Sequence, residues 1–138
     1  MGSQFPDLSL LTGVVAPEIL DAMRVAAAKL QSAGIPHALA GALAVGAHGY
    51  PRASKDVDFL VGHSAFTTHE NGVVTVNPEV PIRVGQVAVD PISVGLDEAH
   101  LLEALQHAPV SSGIAVLPIE ALVYMRSEER RVGKECRL

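Results

Sequence analysis

Two aspartates that are two residues apart, Asp56 and Asp58, are the residues of this chain best suited to chemistry. An apolar run, Phe59-Leu60-Val61, follows them, so the segment is predicted to be a strand. Because alternate residues of a strand point to the same side, both carboxylates would project from one face. Neighbouring carboxylates repel each other unless a cation offsets the repulsion, and Mg²⁺ is commonly held by one or two carboxylates together with substrate phosphates. The spacing therefore predicts a site for a divalent cation.

Gly41 precedes these aspartates and begins a stretch of small residues that is predicted to be a helix over 41–48. A short apolar run at 37–40, predicted to be a strand, leads into it. A glycine at the start of a helix lets a phosphate approach free backbone N–H groups at the positive end of the helix dipole. Gly41 and the aspartates together indicate a site for a phosphate compound and a metal ion.

The stretch from His37 to Val61 resembles the nucleotidyltransferase superfamily, whose signature is an apolar residue, Gly, Gly or Ser, a spacer, then Asp, an apolar residue, and Asp or Glu. Gly41-Ala42 matches the first part, with Ala in the second place, and Asp56-Val57-Asp58 matches the second part. The text AHGYPRASKDVDFLV is similar to the minimal bacterial nucleotidyltransferases, a group that includes abortive-infection toxins of the AbiEii type. The resemblance is dense over 37–61 and diffuse from there to about residue 125.

This resemblance implies an enzyme that transfers a nucleoside monophosphate from an NTP to an acceptor hydroxyl while pyrophosphate leaves. It implies three metal carboxylates, and Asp90 is the candidate for the third, so Asp56, Asp58 and Asp90 would hold Mg²⁺ and form the catalytic site. On a strand, the small Ala88 would share the face of Asp90 and leave room for a metal or nucleotide. Pro91 cannot donate a ladder hydrogen bond, so it is expected at a sheet edge or strand end. The acceptor stays open: a protein, a tRNA or a small molecule.

The nucleotide is expected to contact five residues: Gly41 and Ala42 through their backbone N–H groups, and Arg52, Ser54 and Lys55 in the loop before the aspartates. A guanidinium grips phosphate well, although Arg52 could equally form an ion pair with Asp56 or Asp58. The family has Ser or Gly where this chain has Ala42, which offers only its backbone. Ala42 motivates an alternative function: a non-catalytic or truncated nucleotide-binding relative in a toxin–antitoxin interaction, with an antitoxin protein as partner.

The order of predicted elements indicates an α+β fold with a mixed β-sheet flanked by helices, and the resemblance implies that this sheet is nucleotidyltransferase-like. Helices are predicted at 17–33, 41–48, 97–107 and from 118, and strands at 37–40, 56–61, 73–76, 80–84, 87–94 and 114–117. Residues 1–15 show no clear periodicity and are predicted to be a loosely held arm. His48, on a helix of small residues, is expected to be a hydrogen-bonded packing residue rather than a ligand.

The length of 138 residues suits one domain, assigned to 1–125, with a charged C-terminal tail at 126–138. This tail is either a solvated helix end or a non-native sequence junction, and we assign no function to it. It holds five of the ten basic and three of the fifteen acidic residues, which leaves five basic and twelve acidic residues in the body, a net charge of −7. An acidic body argues against broad non-specific binding of nucleic acid.

Other features of the sequence exclude several classes of protein and site. The longest apolar run is too short for a transmembrane helix, and the N-terminus lacks the basic region of a signal peptide. The single cysteine, Cys136, excludes an intramolecular disulfide framework and a Cys-rich zinc site. Neither a P-loop nor a serine nucleophile elbow occurs. We therefore expect a cytoplasmic protein with no membrane partner.

Overall fold

The computed structural model describes residues 5–95 and 97–135, with side chains described as far as Ser127. In these ranges the chain forms four α-helices: α1 (Pro17–Ser32), α2 (Gly41–Ala47), α3 (Ala99–Gln106) and α4 (Ile119–Glu135). It also forms eight strands: β1 (His37–Ala40), β2 (Val57–Val61), β3 (Phe66–Thr68), β4 (Val74–Val76), β5 (Arg83–Val84), β6 (Val87–Ser93), β7 (Val110–Ser111) and β8 (Ile114–Ala115). Short 3₁₀ turns lie at Leu8–Leu11 and His63–Ala65.

A mixed sheet of four strands, in the order β1-β2-β6-β5, forms the centre of the molecule. β1 and β2 are antiparallel, β2 and β6 are parallel, and β6 and β5 are antiparallel. The hairpins β3–β4 and β7–β8 form two small separate sheets. The α+β class and the mixed sheet that the sequence predicts are therefore confirmed.

Helix α1 begins at the predicted Pro17 and ends at Ser32, one residue before the predicted end, because each end carries a local sequence signal. Pro17 occupies the first turn, where no backbone N–H is needed, and Gly34 takes a left-handed φ of +72° after the last turn. The Ile35 N–H then donates to the Leu30 carbonyl at 3.0 Å, which closes the helix end. The buried face of α1 packs against the central sheet and consists of Ile19, Leu20, Ala22, Met23, Ala26, Ala27 and Leu30.

Buried apolar side chains lie on both faces of β1 and β2, and Asp58 and Asp90 project from one of these faces. Leu39 lies opposite Phe59, and Val57 lies opposite Val89, so one face presents buried apolar side chains. The His37 ring contacts Phe59 edge-on at 5.7 Å between ring centres, which extends this face along β1. Because residues alternate along a strand, the neighbours of these residues, including the candidate site aspartates, belong to the opposite face.

Residues 5–15 differ from the predicted loose arm, because they are anchored to the core. Leu8 and Leu11 are buried, and the Asp7 N–H donates to the Ala47 carbonyl at 2.7 Å. The Asp7 carboxylate accepts hydrogen bonds from the Ser9 hydroxyl (2.6 Å) and amide (3.0 Å), and these bonds lower the pKa of Asp7. Leu11 packs against Gly46, where a Cβ would lie 2.6 Å from its Cδ2. A single 3₁₀ turn is too short to show helical periodicity, which explains the error.

Strand boundaries in the second half also differ from the prediction. Strands β3 and β7 fall in segments for which no strand was predicted, and β5 is shorter than the predicted 80–84. Both threonines of β3 are exposed, so β3 has little core face and no alternating apolar pattern to reveal it, whereas β4 lies within the predicted strand 73–76. Helix α3 begins two residues later than predicted, at Ala99.

Helix α4 continues to Glu135, so most of the predicted tail 126–138 extends the last helix. The end of that segment, 136–138, lies outside the described residues. None of the helices described here is both long enough and apolar enough to cross a membrane.

Deleting residues 126–138 is expected to leave the melting temperature nearly unchanged, because eight of these thirteen residues are charged and the segment has no apolar stripe. Thermal unfolding of the full chain and the truncated chain measures the effect. A fall of more than about 4–8 °C, equivalent to about 1 kcal/mol, would contradict this expectation. A deletion that begins at Ile119 serves as the control, since it also removes the buried Ala121 and Leu122 and should lower the melting temperature.

Candidate functional site

The parallel register of β2 and β6 pairs Asp58 with Asp90. Residues that are partners in register lie on the same face, and adjacent strands are about 4.8 Å apart. Asp58 is half-buried and Asp90 is exposed, so solvent reaches the pair mainly from the side of Asp90. Two carboxylates from distant parts of the sequence therefore project side by side from the face opposite Phe59.

Gly41 lies against this carboxylate pair. Ala40 is the partner of Asp58 in the antiparallel register of β1 and β2, and α2 begins at the next residue, Gly41. Gly41 has a φ of +64°, and a Cβ built there would overlap Asp58 Oδ2 and lie 2.9 Å from its Cγ. Only glycine meets both conditions, the left-handed backbone and the close approach of a carboxylate. As expected from the sequence, the start of the helix and Asp58 are in contact.

The loop before β2 carries Asp56 and the three other predicted nucleotide ligands. Asp56 is exposed and lies one residue before β2, because that strand begins at Val57 rather than at Asp56 as predicted. The Ser54 hydroxyl donates to the Asp56 carbonyl oxygen at 3.0 Å and so holds the backbone of the loop. Arg52 and Lys55 are exposed, and within the described part of the chain neither forms an ion pair or a hydrogen bond. The alternative ion pair of Arg52 with Asp56 or Asp58 is thus not formed.

Asp90 is followed by Pro91 within β6, and the register explains why a proline is tolerated there. Backbone N–H groups alternate between the two sides of a strand, and the Val89 N–H donates to Ile82 on the β5 side at 3.0 Å. The Pro91 nitrogen faces the same side, beyond the region where β5 pairs with β6. No ladder bond is lost, as expected for a proline on a strand edge. Asp90 therefore lies where β6 is no longer paired with β5 but is still paired with β2.

The carboxylate pair suits a magnesium ion whose other ligands are phosphate oxygens, rather than one that is bound by protein side chains alone. Within residues 5–95 and 97–135, no three His, Cys, Asp or Glu side chains form a group that could hold a metal ion. Mg²⁺ needs only one or two carboxylates when substrate phosphates supply the other oxygens, and carboxylates suit this hard cation. Asp58 and Asp90 meet that requirement, and Asp56 as the third ligand stays a prediction.

His48 connects α2 to the segment before α4. Its Nε2–H donates to the Leu117 carbonyl oxygen at 2.8 Å, and the Leu117 N–H donates to the Leu39 carbonyl on β1 at 3.0 Å. This part-buried hydrogen bond agrees with the packing role that the sequence predicts for His48. The bond helps to fix α2, and therefore Gly41, relative to the sheet.

One charged residue on the site face, Arg83, is missing from the sequence prediction. It is exposed on β5 and lies opposite Ala88 of β6, the small residue two positions before Asp90. A signal for it was present: Val84 and Val87 flank Gly85-Gln86, and a glycine in a two-residue loop indicates a tight hairpin. That hairpin fixes the register and therefore the face of Arg83.

Three comparisons with known proteins gave no match: no protein-family model, no curated protein and no solved structure matches this chain. The nucleotidyltransferase resemblance therefore rests on the residues of 37–61 and on the geometry described above.

Proposed function

We propose that this protein is a metal-dependent nucleotidyltransferase that moves a nucleoside monophosphate from an NTP to an acceptor hydroxyl. The observation that supports this most strongly is the register that sets Asp58 beside Asp90. The contact between Asp58 and Gly41 adds the start of α2 to the same place. The sequence resemblance implies a role for the same residues.

Asp58 and Asp90 would hold Mg²⁺, with Asp56 as the expected third ligand. The bound ion supplies neutralisation of the triphosphate charge, which lowers the barrier to phosphoryl transfer. The backbone N–H groups of Gly41 and Ala42 bind phosphate oxygens. This chemistry depends on positioning and charge, so a covalent nucleophile is not required of the protein.

The loop before β2 supplies further contacts in this proposal. Arg52 and Lys55 are exposed cations without protein partners in the described residues, and they bind the phosphates. The Ser54 hydroxyl contacts the nucleotide in this proposal, and its hydrogen bond to the Asp56 carbonyl oxygen holds the backbone of the loop.

In the transfer step the acceptor hydroxyl oxygen forms a bond to the α-phosphorus of the NTP. The bond between that phosphorus and the bridging oxygen breaks, and pyrophosphate leaves with the electron pair. Asp90, the more exposed of the two paired carboxylates, orients the hydroxyl or accepts its proton, a role that the resemblance implies. The acceptor is a protein, a tRNA or a small molecule.

Incubation with isotope-labelled NTPs, Mg²⁺ and each class of acceptor tests the proposal, with mass spectrometry as the readout. The expected product gains one nucleoside monophosphate, and pyrophosphate appears in equal amount. Asp58→Asn should abolish transfer, whereas Asp21→Asn, an equal charge change at an exposed position on α1, should not. Absence of NTP turnover by the wild type with every acceptor class would contradict the catalytic proposal.

A second candidate function is a non-catalytic relative that binds nucleotide within a toxin–antitoxin interaction. Ala42 favours it, because the side chain expected at that place in the family is Ser or Gly, and alanine adds no hydrogen bond to the phosphates. This candidate predicts binding of Mg²⁺–NTP without release of pyrophosphate, so the same incubation distinguishes the two functions.

A further inference from the structure

Arg83 lies on the same sheet face as the Asp58–Asp90 pair. In the antiparallel register of β5 and β6, Arg83 is the partner of Ala88. Ala88 and Asp90 are two residues apart on β6, so their side chains share a face. Asp58 belongs to that face as well, because it is the partner of Asp90 in the neighbouring ladder. The face therefore carries a carboxylate pair with one arginine at its edge.

The separation between Arg83 and Asp90 suits a ligand that bridges them. The hydrogen bond from the Val89 N–H to the Ile82 carbonyl continues the register one step past Arg83, so Arg83 is the diagonal neighbour of Asp90. Diagonal neighbours in an antiparallel pair are about 7–8 Å apart at Cα, within reach of a long side chain. Ala88 is small and only half-buried, so it leaves the space between them open.

The guanidinium of Arg83 has no partner among the described residues of the protein. Within the described part of the chain Arg83 forms neither an ion pair nor a hydrogen bond, so it does not neutralise Asp90 directly. By contrast, Arg24 on α1 lies 3.6 Å from Asp21. Residues 1–125 contain only five basic residues against twelve acidic ones, so a general excess of basic residues does not account for an arginine on this face.

We propose that Arg83 binds the phosphate groups of the nucleotide whose metal ion Asp58 and Asp90 hold, an inference that rests on the proposed function. The carboxylates contact the phosphates through the metal, and the planar guanidinium contacts them directly with two parallel N–H donors. Arg83 is thus a nucleotide-binding residue that the motif of 37–61 does not contain. Its position on β5, across β6 from β2, places it on the opposite side of Asp90 from Asp58.

Calorimetric titration with Mg²⁺–ATP, and separately with Mg²⁺ alone, tests this inference on the wild type, Arg83→Gln, Arg83→Lys and the control Arg24→Gln. We expect Arg83→Gln to weaken Mg²⁺–ATP binding about tenfold or more, the order of one lost charge-assisted hydrogen bond. Arg83→Lys should recover part of the affinity, because it keeps the charge but loses the two-pronged geometry. Binding of Mg²⁺ alone should not weaken in any of these variants.

The other possible results of the titration lead to different conclusions about Arg83 and about the proposed function. If Arg83→Gln binds Mg²⁺–ATP as tightly as the wild type, the inference is overturned and the proposed function is not. If the variant loses affinity for Mg²⁺ alone, Arg83 acts on the fold of the site and the direct contact is refuted. If the wild type binds no Mg²⁺–ATP, the proposed nucleotide site fails, and the role of Arg83 fails with it. Melting temperatures of the four proteins show that each one is folded.

Discussion

Gly41→Ala is expected to destabilise the protein by about 2–5 kcal/mol and to disturb the carboxylate pair. A residue with a side chain at a φ of +64° costs about 1–2 kcal/mol. The new methyl group also overlaps the Asp58 carboxylate, and overpacking of this kind costs typically about 1–3 kcal/mol. Chemical denaturation of the wild type and the variant measures the change in the free energy of unfolding.

Gly34→Ala is a matched control for this substitution. Gly34 has a similar φ, +72°, but a Cβ there meets no atom within 4 Å. It should therefore show the backbone cost alone. In an Asp58→Ala background the carboxylate is absent and only the Cβ of residue 58, 3.1 Å from the new methyl group, remains, so Gly41→Ala should cost only slightly more than Gly34→Ala. Equal costs for the two glycine substitutions in the wild-type background would mean that Gly41 and Asp58 are not in contact.

Asp58→Asn is expected to reduce metal-dependent transfer about 10³-fold while the stability stays level or rises. Asparagine keeps the size of the side chain, so the contact with Gly41 is retained, but the negative charge that faces Asp90 is removed. Loss of about 4 kcal/mol of transition-state stabilisation corresponds to this decrease in rate. In the metal-free protein the variant also relieves repulsion between two neighbouring carboxylates.

A structural role for Asp58 predicts the opposite pattern. If its carboxylate served only to stabilise the fold, Asp58→Asn would lower the melting temperature and leave Mg²⁺ binding unchanged. Asp21→Asn is the control, because it removes one exposed carboxylate from α1, where Asp21 is paired with Arg24 at 3.6 Å. Turnover and unfolding are measured on the same preparations of both variants.

The sequence predicts those parts of the fold whose signals are local. The period of α1, its proline and its glycine are contained within one segment, and its boundaries follow from them. The strand β2 is also indicated locally, by the apolar residues that follow Asp58, although it begins at Val57 rather than at Asp56. The boundaries of β1 agree with the prediction because its apolar run is also a local signal.

The pairing of distant segments was harder to predict, because it depends on the register between strands. Nothing local to Asp58 indicates that Asp90 is its partner across a parallel ladder; the family resemblance, rather than periodicity, selected Asp90. Arg83 was missed because its face follows from the β5–β6 hairpin, and the Gly85-Gln86 turn was not used to fix that register. The anchoring of Leu11 against Gly46 is likewise a tertiary contact without a sequence period.

The central claim is that Asp58 and Asp90 together bind a magnesium–nucleotide complex. The most direct measurement is the melting temperature with and without saturating Mg²⁺–NTP, for the wild type, Asp58→Asn and Asp90→Asn. A ligand that binds only the folded state at 100 times its Kd adds about 2.7 kcal/mol of stability. We predict a clear upward shift for the wild type and loss of that shift in both variants. No shift in the wild type with any of the four NTPs, or an equal shift in all three proteins, would contradict the claim.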